Sequence, residues 1–194
     1  MAKLYFRHGT LASGKSLQLL SVNHNYKEQG KNTLLLKPEL DTRTSNISSR
    51  IGVDSECCIV SKDTNIYEYI NEISIYNSDK LDCILVDEAQ FLSKEHIKQL
   101  SDITWELNIP VICYGLKNTY LDGVLFEGSE ALLYYADSIE ELKTTCECCN
   151  KKATMNLRLI DGKAIYHGGI VNIGDVKGID RYASVCKEHY YNFN

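Results

Sequence analysis

Lys3-Leu4-Tyr5-Phe6-Arg7-His8-Gly9-Thr10-Leu11-Ala12-Ser13-Gly14-Lys15-Ser16 begins as a strand-like segment and passes directly into the pattern G-x4-G-K-S. Such a loop binds phosphate: its glycines let successive backbone N–H groups close around phosphate oxygens, and the helix that follows turns its positive N-terminal end toward the same anion. In this pattern Lys15 reaches the β- and γ-phosphates and the Ser16 hydroxyl holds Mg²⁺. A chance match in a surface loop is the plainer reading. The context opposes it, because an apolar strand precedes the loop and Leu17, Leu19, Leu20 and Tyr26 follow at helical spacing. A nucleoside triphosphate is therefore the expected ligand.

Working outward, short apolar runs alternate with helical patterns over the first three-quarters of the chain, the signature of a parallel sheet with crossover helices. Strands are predicted at Leu4–Arg7, Thr33–Lys37, Cys83–Val86 and Val111–Tyr114. Helices are predicted over Ser16–Gln29, ending at Gly30, over Asn65–Tyr76, and over Lys94–Leu107 behind a Ser93 cap, with Pro110 separating the last from a strand. The run Cys83-Ile84-Leu85-Val86-Asp87-Glu88 reads as a buried strand delivering two carboxylates to its C-terminal edge, where such sheets place ligands. Alone, an Asp-Glu pair is more often a solvated turn. Beside a phosphate loop, Asp87 becomes a partner for Mg²⁺ and Glu88 a base for the reacting group.

After about Lys143 the helical period gives way to clustered cysteines and to strand-like runs, Thr154–Ile160 and Lys163–Tyr166, around an Asp161-Gly162 hairpin turn. Two units are expected, 1–143 with the phosphate loop and 144–194 as a small β module. Cys146/Cys149 and Cys186/His189 each have the two-residue spacing of a four-coordinate structural zinc site, with Cys148 as a rival to Cys146. A closed Cys3His shell would serve to fold a module too small for a core of its own. Cys57, Cys58, Cys83 and Cys113 show no paired spacing and read as ordinary thiols.

The chain has 194 residues, 44% of them hydrophobic, and carries 21 Lys+Arg against 26 Asp+Glu for a net charge of −5. No basic stripe of the kind that grips nucleic acid is present in the sequence, so a small-molecule substrate is favoured. No apolar run approaches the roughly twenty residues of a bilayer span, and no apolar signal segment opens the chain; eight cysteines beside a phosphate loop then read as thiols of a reducing cytoplasm. Asp41-Thr42-Arg43 and the polar stretch to Arg50 are expected to form a loop over the nucleotide, with Arg43 or Arg50 opposing phosphoryl charge or simply solvated. Tyr120 is placed after the fourth strand, where it could stack on a base or cover core.

Taken in order, G-x4-G-K-S, D-T-R, D-E-A-Q-F, C-x-x-C and Y-x-x-V-C-x-x-H resemble the zinc-containing, cellular and bacterial type of thymidine kinase over nearly the whole chain. The resemblance implies an α/β fold with a RecA-like P-loop parallel sheet, helices on both faces and a small zinc-bound β lobe bearing a lasso loop over the nucleoside. It implies that Gly9, Thr10, Leu11, Ala12, Ser13, Gly14, Lys15 and Ser16 bind ATP, that Asp41, Thr42 and Arg43 lie near it, and that Asp87, Glu88, Ala89 and Gln90 complete the ATP and Mg²⁺ site with Glu88 accepting the proton. Leu11, Phe91, Tyr120, Ile170, Val171, Asn172, Ile173, Gly174 and Tyr182 would contact the nucleoside, and Cys146, Cys149, Cys186 and His189 would hold structural Zn²⁺. The reaction implied is phosphorylation of thymidine, and of deoxyuridine, at the 5′-hydroxyl for nucleotide salvage, by a homotetramer inhibited by thymidine triphosphate. Two departures stand out: Leu11 replaces the usual methionine, and Gly174–Tyr182 is longer than the family's link, which would reposition the lasso tip. The rival from another class is a RecA-like ATPase or nucleotide switch that binds a macromolecule through its zinc module.

Overall fold

Apolar runs whose alternate residues face opposite ways can be buried only between two layers, and this chain supplies both. A computed structural model describes residues 1–39, 46–76, 80–170 and 180–193. Its central sheet contains β1 (Leu4–His8), β2 (Asn32–Pro38), β5 (Cys58–Val60), β6 (Leu81–Val86), β7 (Val111–Gly115) and β8 (Ser138–Glu141). The strand order is β5-β2-β6-β7-β1-β8, and every pairing is parallel.

One face buries Leu4, Phe6, Leu36, Ile84, Val86, Val111 and Cys113 beneath α2 (Ile66–Tyr76), α3 (Lys94–Glu106) and α4 (Glu127–Tyr135). The other buries Leu35, Cys83, Leu85, Ile112 and Tyr114 beneath Leu19 and Leu20 of α1 (Lys15–Glu28). Ile47 of the hairpin β3 (Asn46–Ser48) and β4 (Asp54–Glu56) extends that second cluster. Burying each such aliphatic side chain contributes about 1.5–3 kcal/mol against chain entropy. Helix α3 follows its prediction closely. Ser93 Oγ accepts from the His96 amide at 3.2 Å, and Ile97, Leu100 and Ile103 point into the core.

The chain leaves β1 through α1 to reach β2, which lies beyond β7 and β6, while β8 closes β1's opposite side. The C-terminal end of β1 is thus where connections diverge, the position at which open parallel sheets hold ligands. A second sheet, β10-β9-β11, is antiparallel and comprises β9 (Met155–Ile160), β10 (Lys163–Ile165) and β11 (Asp180–Val185). Asp161 and Gly162, at φ 48° and 75°, form the predicted two-residue turn between β9 and β10. Leu157, Leu159, Ala183, Val185 and Tyr190 give this sheet a cluster of its own.

Several elements depart from the expectations. Residues 180–182, at the end of the long link, belong to strand β11 and pair with Ile160, Leu159 and Arg158, while 174–179 lie outside the described residues. A short helix, α5 (Lys187–Tyr191), lies in the part read as free of helix. Helix α4 begins at Glu127 behind Phe126, which offers no side-chain cap, and β8 is the exposed acidic edge Ser-Ile-Glu-Glu, so neither carries the local signal that a sequence reading uses.

Helix α4 approaches the turn after β6 so closely that a Cβ on Gly128 would lie 2.5 Å from the Ala89 carbonyl oxygen and 2.7 Å from that of Leu92. Gly128→Ala is expected to destabilise the protein by about 1–3 kcal/mol, because backbone must move to admit the methyl group. Urea unfolding measures this; an unchanged midpoint would mean that α4 is free to shift.

Candidate active site

The phosphate loop leaves β1 and turns into α1 through Gly14, at φ 79° and ψ 17°, a left-handed conformation that glycine adopts without strain. Gln18 donates to the Gly14 carbonyl at 2.9 Å, so the amides just before it lie at the free N-terminal end of the helix. Lys15 is buried, with Nζ donating to the Thr10 carbonyl at 2.8 Å. Burial lowers its pKa, while the charges of Glu88 and Asp87 act the other way.

Two strands away in the sheet, β6 delivers Asp87. Because the strands are parallel, it emerges on the same edge, and Ser16 Oγ donates to Asp87 Oδ2 at 2.9 Å. Asp87 is 4% exposed, and burial, followed by the neighbouring Glu88 charge, pushes its pKa up to about 6. Its Oδ1 is buried and has no hydrogen-bond partner among the described residues. A hydroxyl and an unpaired buried carboxylate oxygen side by side are oxygen donors of the kind that a hard divalent cation such as Mg²⁺ takes.

Glu88 sits at φ 50° and ψ 36°, where the chain turns from β6 into the 3₁₀ segment Ala89–Phe91. A left-handed conformation at a non-glycine residue is uncommon and recurs at functional sites. Gln90 Nε2 donates to Glu88 Oε2 at 2.5 Å, and Gln90 Oε1 accepts from the Leu116 amide at 3.0 Å. Gln90 thus orients Glu88 from a buried position, and it fits because a Cβ at Gly115 would lie only 2.7 Å from its Oε1. Phe91 packs edge-on against Phe126 with ring centroids 5.5 Å apart.

The residues expected at the nucleoside meet in part. Tyr120 is 2% exposed; its hydroxyl donates to the Gly169 carbonyl at 2.9 Å, and its ring lies 5.9 Å from Tyr182. Ile170, at the end of the same segment, is exposed. Asp41, Thr42 and Arg43, and likewise Val171, Asn172, Ile173 and Gly174, lie outside the described residues. Arg50 is described and exposed, and its charge is among those lowering the pKa of Lys15.

Several residues here had no sequence signal. Arg158 makes a two-pronged contact with Asp180, at 3.0 and 2.6 Å, while its guanidinium stands 5.5 Å from the centre of the Tyr120 ring. Lys37 is buried at the end of β2, with Nζ donating to the Asn46 carbonyl at 3.3 Å. Lysine in an apolar strand and arginine in a hairpin match no motif, so only the three-dimensional neighbourhood reveals them.

The ligand atoms of Cys146, Cys149, Cys186 and His189 all lie within 4.8 Å of one another. Cys149 Sγ and Cys186 Sγ are 3.8 Å apart. A tetrahedron with Zn–S bonds of about 2.3 Å has edges of about 3.8 Å, so the set fits zinc. Cys148 is exposed and contributes its amide to Cys146 Sγ at 3.4 Å, which decides between the two cysteines in favour of Cys146.

A family model described as thymidine kinase matches residues 2–190. The chain belongs to the thymidine kinase family. It is similar to the thymidine kinase of Lactococcus lactis subsp. lactis (strain IL1403), at 46% identity over 98% of both chains. It is 48% identical to the thymidine kinase of Lactiplantibacillus plantarum over 98% of this chain and 96% of that one. For the thymidine kinase of Enterococcus faecalis the identity is 46%, over 99% and 96%. Among solved structures, a Bacteroides Pif1 bound to ssDNA aligns at 16% identity and a TM-score of 0.39, covering 72% of this chain and 38% of that one, a likeness too slight to bear on function. Membership of this kinase family implies use of ATP. No helix among the described residues is long and apolar enough to cross a membrane.

Asp87 yields a test of the site's electrostatics. A carboxyl whose folded pKa is raised to about 6 contributes stability that is fully present below its unfolded pKa of about 3.9 and lost as pH rises through 6. Asp87→Asn should therefore stabilise the protein without added nucleotide or metal at pH 7.5, by on the order of 1–3 kcal/mol, and flatten its stability between pH 4 and 6.5. Thermal melting across that range measures it; a lower melting temperature at pH 7.5 would mean that Asp87 is held by a cation already.

Proposed function

We propose that the chain transfers the γ-phosphoryl group of ATP to the 5′-hydroxyl of thymidine, giving thymidine monophosphate and ADP. The observation that carries this reading is the meeting of Ser16, Lys15, Asp87 and Glu88 on one sheet edge in a member of the thymidine kinase family. The new bond joins the 5′-oxygen to the γ-phosphorus as the bond to the β,γ-bridging oxygen breaks. Glu88, oriented by Gln90, takes the hydroxyl proton. The loop of residues 9–16, through its amides from Ala12 onward, and the Lys15 ammonium hold the phosphates, with Ala89 and Gln90 completing that wall. Ser16 Oγ and Asp87 would hold Mg²⁺, which when bound offsets phosphate charge. Arg50, with Arg43 as the other candidate, opposes charge on the transferred group.

Leu11, Phe91, Tyr120 and Tyr182 form the nucleoside side of the site, and Ile170 to Gly174 supply backbone groups for the base edge. Backbone amides fixed toward one edge favour thymine and uracil over cytosine, because the wrong edge leaves a buried group unpaired. Residues 144–194 act as a lobe closed by zinc on Cys146, Cys149, Cys186 and His189, set against a nucleotide-binding unit of residues 1–143. A cytoplasmic homotetramer inhibited by thymidine triphosphate, acting in nucleotide salvage, completes the proposal. The macromolecule-binding ATPase is not favoured, since a chain of net charge −5 is poorly suited to a nucleic acid backbone.

Product formation from ATP·Mg²⁺ with thymidine, deoxyuridine and deoxycytidine tests the reading. Thymidine and deoxyuridine should be phosphorylated and deoxycytidine spared, and Glu88→Gln should lower kcat by roughly 10²–10⁴ while ADP binding persists. ATP turnover with no phosphorylated nucleoside would overturn it. Arg50→Ala should reduce kcat about 10–100-fold with thymidine KM little changed; full activity in that variant would assign the role to Arg43.

A further inference from the structure

The phosphate loop is held at its tip by residues from the other sheet. The Leu11 amide donates to Asn156 Oδ1 at 3.0 Å, and the Leu11 carbonyl accepts from Ser184 Oγ at 2.6 Å. Both backbone polar groups of one loop residue are thereby bound to side chains that lie 145 and 173 positions along the chain. Asn156 on β9 and Ser184 on β11 are directly paired across that sheet and are 2% and 3% exposed. Buried polar side chains are retained where they find partners, and these two find theirs largely in the loop.

The clasp is itself braced. Asn156 Nδ2 donates to the Asn118 carbonyl at 3.0 Å, tying it to the segment that follows β7. Glu147 accepts from the Ser184 amide at 3.0 Å through Oε1, and its own amide donates to the Ser184 carbonyl at 2.9 Å. Glu147 stands between Cys146 and Cys149, so the segment that carries two of the cluster's cysteines also fixes the residue gripping the loop.

We propose that Asn156 and Ser184 are positioning residues for the nucleotide: they order the phosphate loop before ATP arrives, and so make nucleotide affinity depend on the small lobe. This rests on the reading that residues 9–16 bind ATP. A loop whose amides must converge on an anion binds more tightly when its conformation is set in advance. With the Leu11 amide engaged by Asn156, the loop's remaining amides, from Ala12 onward, are the ones presented to phosphate. Loss of the Ser184 hydroxyl leaves the Leu11 carbonyl without its partner, and loss of the Asn156 amide leaves the Leu11 N–H without an acceptor.

The test uses the full-length protein as Ser184→Ala, Asn156→Leu, the double variant and Ser184→Thr, with Lys151→Ala as a surface control on the same lobe. Hydrogen exchange of the peptide spanning residues 9–14, in protein without nucleotide, should speed up at least fivefold in both single variants and stay unchanged in the control. ADP·Mg²⁺ affinity by calorimetry should fall about tenfold in each, and less than a hundredfold in the double variant, because both side chains hold the same loop residue, Leu11. Ser184→Thr, which keeps the hydroxyl, should restore most of the affinity. Zinc content and melting temperature report whether the lobe is intact; if Ser184→Ala loses zinc, Asn156→Leu decides. Unchanged exchange and ADP affinity within twofold of the unmodified protein, with zinc retained, would overturn the proposal. Failure of the unmodified protein to bind ADP would instead overturn the nucleotide reading, while the exchange result would still judge the clasp.

Discussion

Two strands that are not neighbours must deliver their ends to one point, because Ser16 and Asp87 meet at 2.9 Å with β7 lying between β1 and β6. Parallel order makes this available, since every strand then ends on the same edge. It also requires that both faces of the sheet be covered, for the strand between is apolar throughout and buried at every residue. The helices over the two faces, the tight passage of α4 over Ala89 and the absence of a side chain at Gly115 all serve that convergence. The consequence is a carboxylate and an ammonium held largely out of water at the mouth of a phosphate loop. Burial disfavours the charged form of each, raising the pKa of Asp87 and lowering that of Lys15.

The small antiparallel sheet has a different physical basis. Its cluster of Leu157, Leu159, Ala183, Val185 and Tyr190 is modest, and a Cys3His set closes one end of it. Small modules of this kind obtain from a metal the stability that area alone does not supply. Here the module also reaches back to the larger sheet. Asn156 and Ser184 hold the phosphate loop, Arg158 and Tyr182 enclose Tyr120, and Tyr190 donates from its hydroxyl to the Tyr120 carbonyl at 2.7 Å. The segment after β7 is therefore gripped from two sides, which ties Tyr120 to the folding of the small sheet.

Legibility in the sequence followed the strength of local signals. The phosphate loop, the β6 carboxylates and helix α3 were readable because each is written in contiguous residues with a fixed physical requirement: glycine in a turned loop, apolar residues before an acid, a serine cap before a buried stripe. Helix α4 and edge strand β8 were not, since α4 lacks a capping side chain and β8 is mostly exposed and acidic. The paired cysteine spacings identified a zinc-type site, yet the choice of Cys146 over Cys148 needed the geometry, because adjacent spacings differ by less than sequence can resolve.

Local chemistry in the chain was thus determined by sequence alone: which loop can wrap phosphate, which strand ends in carboxylates, which cysteines come in pairs, and which ordered motifs mark a thymidine kinase family member. Tertiary structure alone decided what those groups meet. Asn156 and Ser184 lie more than 140 positions from Leu11, and neither is a specified position of any motif; Arg158, 38 positions from Tyr120, is likewise specified by none. A hydrogen bond needs only about 3 Å of proximity and a suitable angle, and leaves no periodic trace in the residues that make it. Periodicity records which face of an element is buried; the partner across the interface is chosen by the packing of the whole chain.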